Sequence, residues 1–448
     1  MQANQTLDSP SLPEHAATLP PRKAFFAGLA STFGWALDLF DLFILLYVAP
    51  IIGRLFFPSS QPTLSLAAVY ASFAVALLVR PMGSAIFGSY ADKHGRKRAL
   101  LIAMVGVGLS TAAFGLLPTI HQIGLVAPVL FLMLRIIQGI FVGGIVASTH
   151  TIGTESISPR HRGLMSGLIG SGGAGMGAMM ASFAYFVLSR IYPGAEFEAF
   201  GWRVMFFCGL ISTVFGLVMY RLIDETPAFK QMQADRLKKG ASAKPEKPLR
   251  TLFVGDYRNT MLLNLLITFG GGATYYITAG YLPTLLDMVA KVSHEDASGV
   301  LIISSIGTIF GALFFGAMSD QIGRKKTFLF LGVLCLVGLP SLFTRIAPGL
   351  PLSQITLMTF GISVLGGGII APVLIFLNER FPTVLRASGT GLSWNIGFAL
   401  GGIMPTVVSL VSASPGHIPQ VLAISSACLA AVYLIGALVV PETKGNFN

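Results

Sequence analysis

The chain has 448 residues, of which 53% are apolar and 11% charged, with 51 glycines and a mean hydropathy of +0.74. A soluble domain carries about 25% charged residues, so this composition excludes one and points to a chain dissolved mostly in lipid. The formal net charge of +11 does not indicate a nucleic-acid face, because most Lys and Arg residues sit in short loops between apolar runs.

Residues 1–24 contain Pro10, Pro13, Pro20 and Pro21 with Asp8 and Glu14 and no apolar run. They read as a disordered tail and not as a cleavable signal. A membrane span needs about 20 mostly apolar residues. Twelve such stretches follow, centred near Phe40, Val75, Ser110, Ile137, Gly175, Ser212, Gly270, Gly307, Val337, Val364, Ile403 and Ala430. The loops between them alternate in charge. One set, with both termini, holds 22 Lys and Arg residues, and the other holds Arg54, Arg190, Arg203, Lys291 and Arg345. The positive-inside rule makes the first set and both termini cytoplasmic. The longest loop, Leu222–Arg258, is polar and rich in Pro and Lys. It reads as a linker, with one amphipathic helix expected along Thr226–Leu237. The expected organisation is a tail (1–24), a six-span bundle (25–222), a linker (223–258), a second six-span bundle (259–440) and a short tail (441–448).

An internal repeat supports two related halves. GSYADKHGRKR at Gly88–Arg98 recurs as GAMSDQIGRKK at Gly316–Lys326, 228 positions later. Glu155, Pro159 and Arg162 are echoed by Glu379, Pro382 and Arg386. Two patterns at nearly one offset describe a duplicated unit, and duplicated halves with charged turns after corresponding spans are a mark of secondary transporters. In each loop the glycines allow tight turns. Asp92 and Asp320 can accept from free N–H groups at a neighbouring helix N-terminus, while Arg96 and Arg324 can pair with an acid at the seam. These four residues are the expected cytoplasmic gate. Glu155/Arg162 and Glu379/Arg386 read as turn-stabilising pairs.

Ionisable groups inside spans are costly and therefore candidates for function. Asp38 and Asp41 stand three residues apart in the first span, on one helix face. Two carboxylates this close in a low dielectric do not both ionise easily, which suits a proton carrier. Arg135, in the fourth span, stays charged and needs a carboxylate from Asp38, Asp41 or a substrate, which makes it a candidate for both proton coupling and substrate binding; Gln138, one turn on and on the same face, is a candidate substrate contact with it. Arg80, near the end of the second span, can snorkel to the interface. Tyr275, Tyr276, Trp394 and Asn395 are candidate substrate contacts in the second half, with Tyr281 open to a role as an interface anchor. Gly270-Gly271-Gly272 suggests a broken helix before the tyrosines.

Gly170–Gly175 satisfies G-x-G-x-x-G, but without a strand before it or a suitable acid after it no dinucleotide site is expected. Its small residues read as helix-packing positions. Cys208, Cys335 and Cys428 have neither disulfide nor metal spacing. No catalytic constellation, cofactor motif or metal site is found, and the chain does not read as an enzyme.

The two charged loops resemble the hallmark loop of the major facilitator superfamily. Within it the chain resembles the metabolite:proton symporter family, which includes citrate, α-ketoglutarate, shikimate and proline/betaine transporters. The resemblance runs from about Gly34 to Gly445. It is carried by LFFP at Leu55–Pro58, RPMGSAIFGSYADKHGRK at Arg80–Lys97, the stretch Gly115–Gly144, GWR at Gly201–Arg203, DETPAF at Asp224–Phe229, ERFPTVLRASG at Glu379–Gly389 and PETKG at Pro441–Gly445. It implies an all-α membrane protein of twelve transmembrane helices in two six-helix bundles, the major facilitator fold, working by alternating access with protons. The family's span-one acids map onto Asp38 and Asp41 and its span-four arginine onto Arg135. The chain departs from the family where Ile145 replaces an acid after Gly143-Gly144. That departure disfavours a zwitterion and favours a small organic anion, with aromatic carboxylates open. No coiled-coil extension follows Asn448, so osmosensing is not expected. The expected function is proton-coupled import of a small carboxylate across a bacterial inner membrane, by a chain for which a monomer suffices, with lipid and protons as its other partners. A proton-antiporting exporter on the same fold is the alternative.

Overall fold

The computed structural model describes residues 21–94, 96–155, 159–222 and 252–446, and they are helical with no strand among them. The first bundle begins with α1 (Pro21–Tyr47), where a proline at the start costs nothing because the first-turn N–H is unpaired anyway. Its apolar part bends by 59° into a short continuation, Ala49–Phe56. Then follow α2 (Pro62–Phe87), α3 (Arg96–Phe114), α4 (Val126–Glu155), α5 (Arg162–Ile191) and α6 (Phe197–Phe215). The second bundle holds α7 (Arg258–Tyr275), α8 (His294–Ile322), α9 (Arg324–Phe343), α10 (Leu352–Glu379), α11 (Ser388–Val411) and α12 (Ile418–Val439). Each of the twelve expected centres falls within one of these elements.

Ten of the twelve, counting bent α1 as one, are long and apolar enough to cross a bilayer by themselves. The other two fall short for visible reasons. α3 opens on Arg96-Lys97-Arg98, which leaves Leu101–Phe114 as its apolar run. α7 gives up apolar positions to buried Asn264, Thr268 and Thr274, and completes its length in wider turns at Tyr276–Gly280 and Leu285–Ala290. The glycines Gly270–Gly272 do not break α7, contrary to the expectation; the irregularity starts after Tyr275. They let neighbours approach instead: a Cβ on Gly270 would lie 2.9 Å from Tyr433 and one on Gly272 3.1 Å from Phe398.

Lipid offers little hydrophobic drive between helices, so close backbone approach and interhelical hydrogen bonds carry the packing. α2 and α4 meet backbone to backbone. A Cβ on Gly139 would sit 2.3 Å from the Ala76 carbonyl, and one on Gly143 2.1 Å from that of Arg80. The glycine-rich stretch of α5 serves two faces. Gly177 lies against the Ala36 carbonyl of α1, while Gly167 and Gly175 lie against Ala312 and Ser305 of α8 in the other bundle. Hydroxyls stitch the same seam: Ser171 Oγ donates to Gly367 O (2.6 Å) and Ser166 Oγ to Ala371 O (3.0 Å). Large apolar side chains such as Leu109, Phe310 and Leu357 are exposed on outer faces, as expected where the solvent is lipid.

Candidate functional site

Two small cavities adjoin at the centre of the molecule. The first lies between the bundles and is lined by Trp35 and Leu39 of α1, Leu77 and Arg80 of α2, Gly170 and Ala174 of α5, Tyr275 at the end of α7 and Tyr276 just after it, Ile370 of α10, and Trp394, Asn395, Phe398 and Ala399 of α11. It is mainly an aromatic box. Trp394 stacks on Phe398 at 4.0 Å, Trp35 meets Trp394 edge-on at 6.3 Å, and Trp35 Nε1 donates to Gly170 O at 2.9 Å. The Tyr275 hydroxyl is buried without a partner among the described residues. No acid lines this cavity; Arg80 is its one charged group among the described residues.

The second cavity lies within the first bundle, between α1, α2 and α4. Asp38, Asp41, Arg80, Arg135 and Gln138 line it with Leu42, Phe73, Ala76, Leu77, Gly139 and Val142. Each cavity measures about 20 Å³, room for about one water. The three-residue spacing turns Asp38 and Asp41 to the same side of α1, while Trp35 and Leu39 turn to the aromatic cavity. Both aspartates are buried, and none of their four carboxylate oxygens has a hydrogen-bond partner among the described residues. Arg135 Nη1 donates to Gln138 Oε1 at 2.5 Å, and Gln138 Nε2 donates to Thr111 Oγ1 at 2.7 Å. The guanidinium lies over the Phe114 ring, 4.2 Å from its centroid, a cation–π contact. Its Nε and Nη2 have no partner among the described residues, and it forms no ion pair with either aspartate although all three face one space. The candidate contacts thus divide: Arg135 and Gln138 stand with the acids, whereas Tyr275, Tyr276, Trp394 and Asn395 stand around the aromatic cavity.

Arg80 does not snorkel. It is 8% exposed, lines both cavities, and its Nε is buried with no partner among the described residues. The cause is local. α2 loosens at Val79 because Pro81 can neither donate to the helix ladder nor leave the preceding residue a comfortable helical conformation. Gly139 and Gly143 then draw α4 against this same turn, and the Arg80 side chain points inward. The Pro81 that follows was the sequence signal for this loosened turn.

The structure closes over the cavities at both ends. At the end bearing GAMSDQIGRKK, Asp320 accepts from Gly163 N and Leu164 N, both at 2.8 Å, in the first turn of α5 across the seam. Arg324 Nη1 donates to Asp320 (2.9 Å), and its Nε and Nη2 reach Glu379 at 3.2 and 3.1 Å. Glu379 also accepts from Thr443 Oγ1 at 2.8 Å. The Glu379–Arg386 pair suggested by the sequence does not form; Arg386 Nε donates to Asn378 O instead. The PETKG tail folds back onto this cluster. Glu442 accepts from Arg324 N (2.9 Å), Lys325 N (3.1 Å), Thr443 N (3.0 Å) and Lys444 N (2.9 Å). Burial pushes the Glu442 carboxyl up, but the backbone N–H groups outweigh it and hold it below the ordinary glutamate range. The side chains of Asp92, Arg96 and Glu155, and residues 226–237, lie outside what the structure describes.

At the opposite end Tyr70 of α2 bonds Thr284 at 2.8 Å and stacks on Tyr281 at 5.0 Å. Tyr281 is fully buried and bonds Ser409, so it is a seam residue and not an interface anchor. Tyr185 meets His294 Nδ1 at 2.7 Å, and Arg190 pairs with Glu295 at 2.9 Å, again across the halves.

Residues 24–405 match the sequence pattern of the Major Facilitator Superfamily. The chain belongs to this superfamily. The proline/betaine transporter of Escherichia coli K12 is 29% identical over 392 residues, covering 85% of this chain and 76% of its own. A putative proline/betaine transporter of Staphylococcus haemolyticus is 32% identical, covering 92% and 86%. The inner membrane metabolite transport protein YhjE of Escherichia coli K12 is 29% identical, covering 93% and 94%. These relatives place the chain with the metabolite:proton symporter-like members. The Escherichia coli xylose transporter XylE, in a partially occluded inward-open form, superposes with a TM-score of 0.69 at 18% identity, over 94% of this chain and 99% of that one. It shares the fold. The protein is therefore a multi-pass membrane transporter and not an enzyme.

Proposed function

We propose that this transporter imports a small organic carboxylate together with a proton, by alternating access around the aromatic cavity. The observation that carries the reading is the pair of buried, unpartnered aspartates opening on a cavity that shares Arg80 and Leu77 with the aromatic one. Two acids without counter-charge in contact are expensive inside a membrane unless they exchange protons. Asp38 and Asp41 carry the proton, and Arg135, held by Gln138, sets the field in which they do so. Tyr275, Tyr276, Trp394 and Asn395 hold the substrate's body. Asp320 and Arg324 close one end, with Asp92 and Arg96 as their counterparts in the first half. By the positive-inside rule that end is cytoplasmic, with both termini, in a bacterial inner membrane. The bundles are 25–222 and 259–440, joined by the linker 223–258, and one chain suffices for transport.

The decisive experiment is uptake into proteoliposomes with and without an inward proton gradient, over citrate, α-ketoglutarate, benzoate, shikimate and proline betaine. Accumulation of one acid that collapses with a protonophore supports the reading. Asp38→Asn abolishes accumulation while leaving substrate exchange; unimpaired concentrative uptake by that variant removes Asp38 from the mechanism. A second reading, a betaine-like zwitterion, is favoured by the aromatic box, since such boxes hold quaternary ammonium groups without an acid. Transport of the betaine alone would select it.

A further inference from the structure

We propose that Arg80 is the coupling residue of this transporter, alternating between Asp38 and the substrate's carboxylate so that protonation of the one releases it for the other. The proposal rests on the transport reading above and concerns a residue that reading leaves without a role.

The aromatic cavity, to which the proposed function assigns the substrate, has one cation among its described residues, and that cation also lines the cavity of the two aspartates. The side chain makes no hydrogen bond or ion pair shorter than 4 Å with a described residue, and its Nε is buried and unpartnered. A guanidinium placed this way retains donors for a planar carboxylate. Asp38 on α1 lines the acid cavity with it and Tyr276, just after α7, the aromatic one. The other ionisable and amide groups facing this region are Asp41 on α1, Arg135 and Gln138 on α4, Tyr275 on α7 and Asn395 on α11. Of these Arg135 is the only further cation; it bonds Gln138, lies over the Phe114 ring and lines the acid cavity but not the aromatic one.

One guanidinium between two carboxylates allows two balanced occupancies. With Asp38 deprotonated and no substrate, Arg80 pairs with Asp38. With Asp38 protonated, Arg80 pairs with the substrate. Substrate bound beside ionised Asp38 places two anions on one cation, and protonated Asp38 without substrate leaves the arginine alone; both are penalised in a low dielectric. Proton and substrate therefore bind cooperatively, and by linkage each strengthens the other equally. No bond is made or broken except the transfer of a proton from bulk solvent to the Asp38 carboxylate.

The test uses the full chain in nanodiscs, with whichever panel acid the wild type accumulates as the probe. Its affinity is measured against pH, together with proton uptake on adding the acid in weak buffer. The wild type gains affinity as pH falls, approaching about tenfold per unit over the coupled range, and takes up close to one proton per acid bound. Asp38→Asn binds with the wild type's low-pH affinity at every pH and takes up no proton. Arg80→Gln binds about 30-fold more weakly or worse and loses the pH slope, and Arg80→Lys recovers part of both. Arg80→Gln that keeps the slope and the proton uptake overturns the proposal, as does Asp38→Asn with the wild-type slope. Should Arg80→Gln prove unstable, the double variant with Asp38→Asn removes both charges. Binding by that double variant as tight as by Asp38→Asn alone also overturns it. A wild type that accumulates none of the acids defeats the transport reading itself, a result distinguishable from the loss of coupling alone.

Discussion

Asp320→Asn tests the closure of the molecule at the end bearing the repeated charged loop. In the structure the aspartate accepts two N–H groups from the first turn of α5 and one from Arg324. Arg324 belongs to the same bundle as Asp320, so that bond survives when the halves part. The bonds to Gly163 and Leu164 do not. Asparagine retains one acceptor oxygen and presents an NH₂ where the other accepted. One charge-assisted bond, worth about 1.5–3 kcal/mol, is lost outright, and the other falls to the neutral value of about 1 kcal/mol. Hydration of the freed α5 N–H groups in the open form offsets part of this. The net shift toward opening is about 2–3 kcal/mol, or roughly 30- to 150-fold. The assay is double electron–electron resonance between spin labels at exposed Arg160 and Lys326, one in each half, in a background lacking Cys208, Cys335 and Cys428. The long-distance population grows by that factor. An unchanged distance distribution in a well-folded variant would falsify the assignment of Asp320 to closure.

At the opposite end Tyr70→Phe removes the 2.8 Å bond to Thr284 but keeps the stack on Tyr281. A loss of about 1 kcal/mol, roughly fivefold, opens that end, and labels at Ala195 and Lys291 report it; an effect at the Asp320 end alone would contradict the assignment. Gly167→Val places a Cβ 2.3 Å from the Ala312 carbonyl at the seam, whereas Gly299→Ala meets nothing within 4 Å. The first blocks closure and transport and the second leaves both intact, measured by the same labels and by uptake. Glu442 holds the tail as an anion, and its carboxyl lies below the ordinary range. The stabilisation it supplies is therefore complete above the unfolded glutamate value of about 4.3 and is lost as pH falls through the lower folded value. Mobility of a label on Asn446 rises only in that acid window for the wild type and is high at all pH for Glu442→Ala; a tail equally immobile in the variant refutes the anchor.

Several features were legible in one dimension. Hydropathy runs, the alternation of basic loops and the 228-residue repeat are properties of neighbouring residues, and lipid makes them decisive because a span must satisfy its own backbone. Twelve helices in two related bundles followed from them, and the three-residue spacing of Asp38 and Asp41 already put both acids on one face. Docking decided the rest. Which cavity Arg135 or Tyr275 faces depends on how each helix is rotated against its neighbours, and no local pattern carries that angle. Glu379 turned to Arg324 and Thr443 rather than to nearby Arg386 because α9 and the tail arrive beside it only in the folded bundle. Arg80 marks the boundary. By position it belongs to the end of a span and to the interface, and Pro81 beside it signals only a bend. The approach of Gly139 and Gly143 on α4 to that turn settles the packing there, and Arg80 faces the two central cavities.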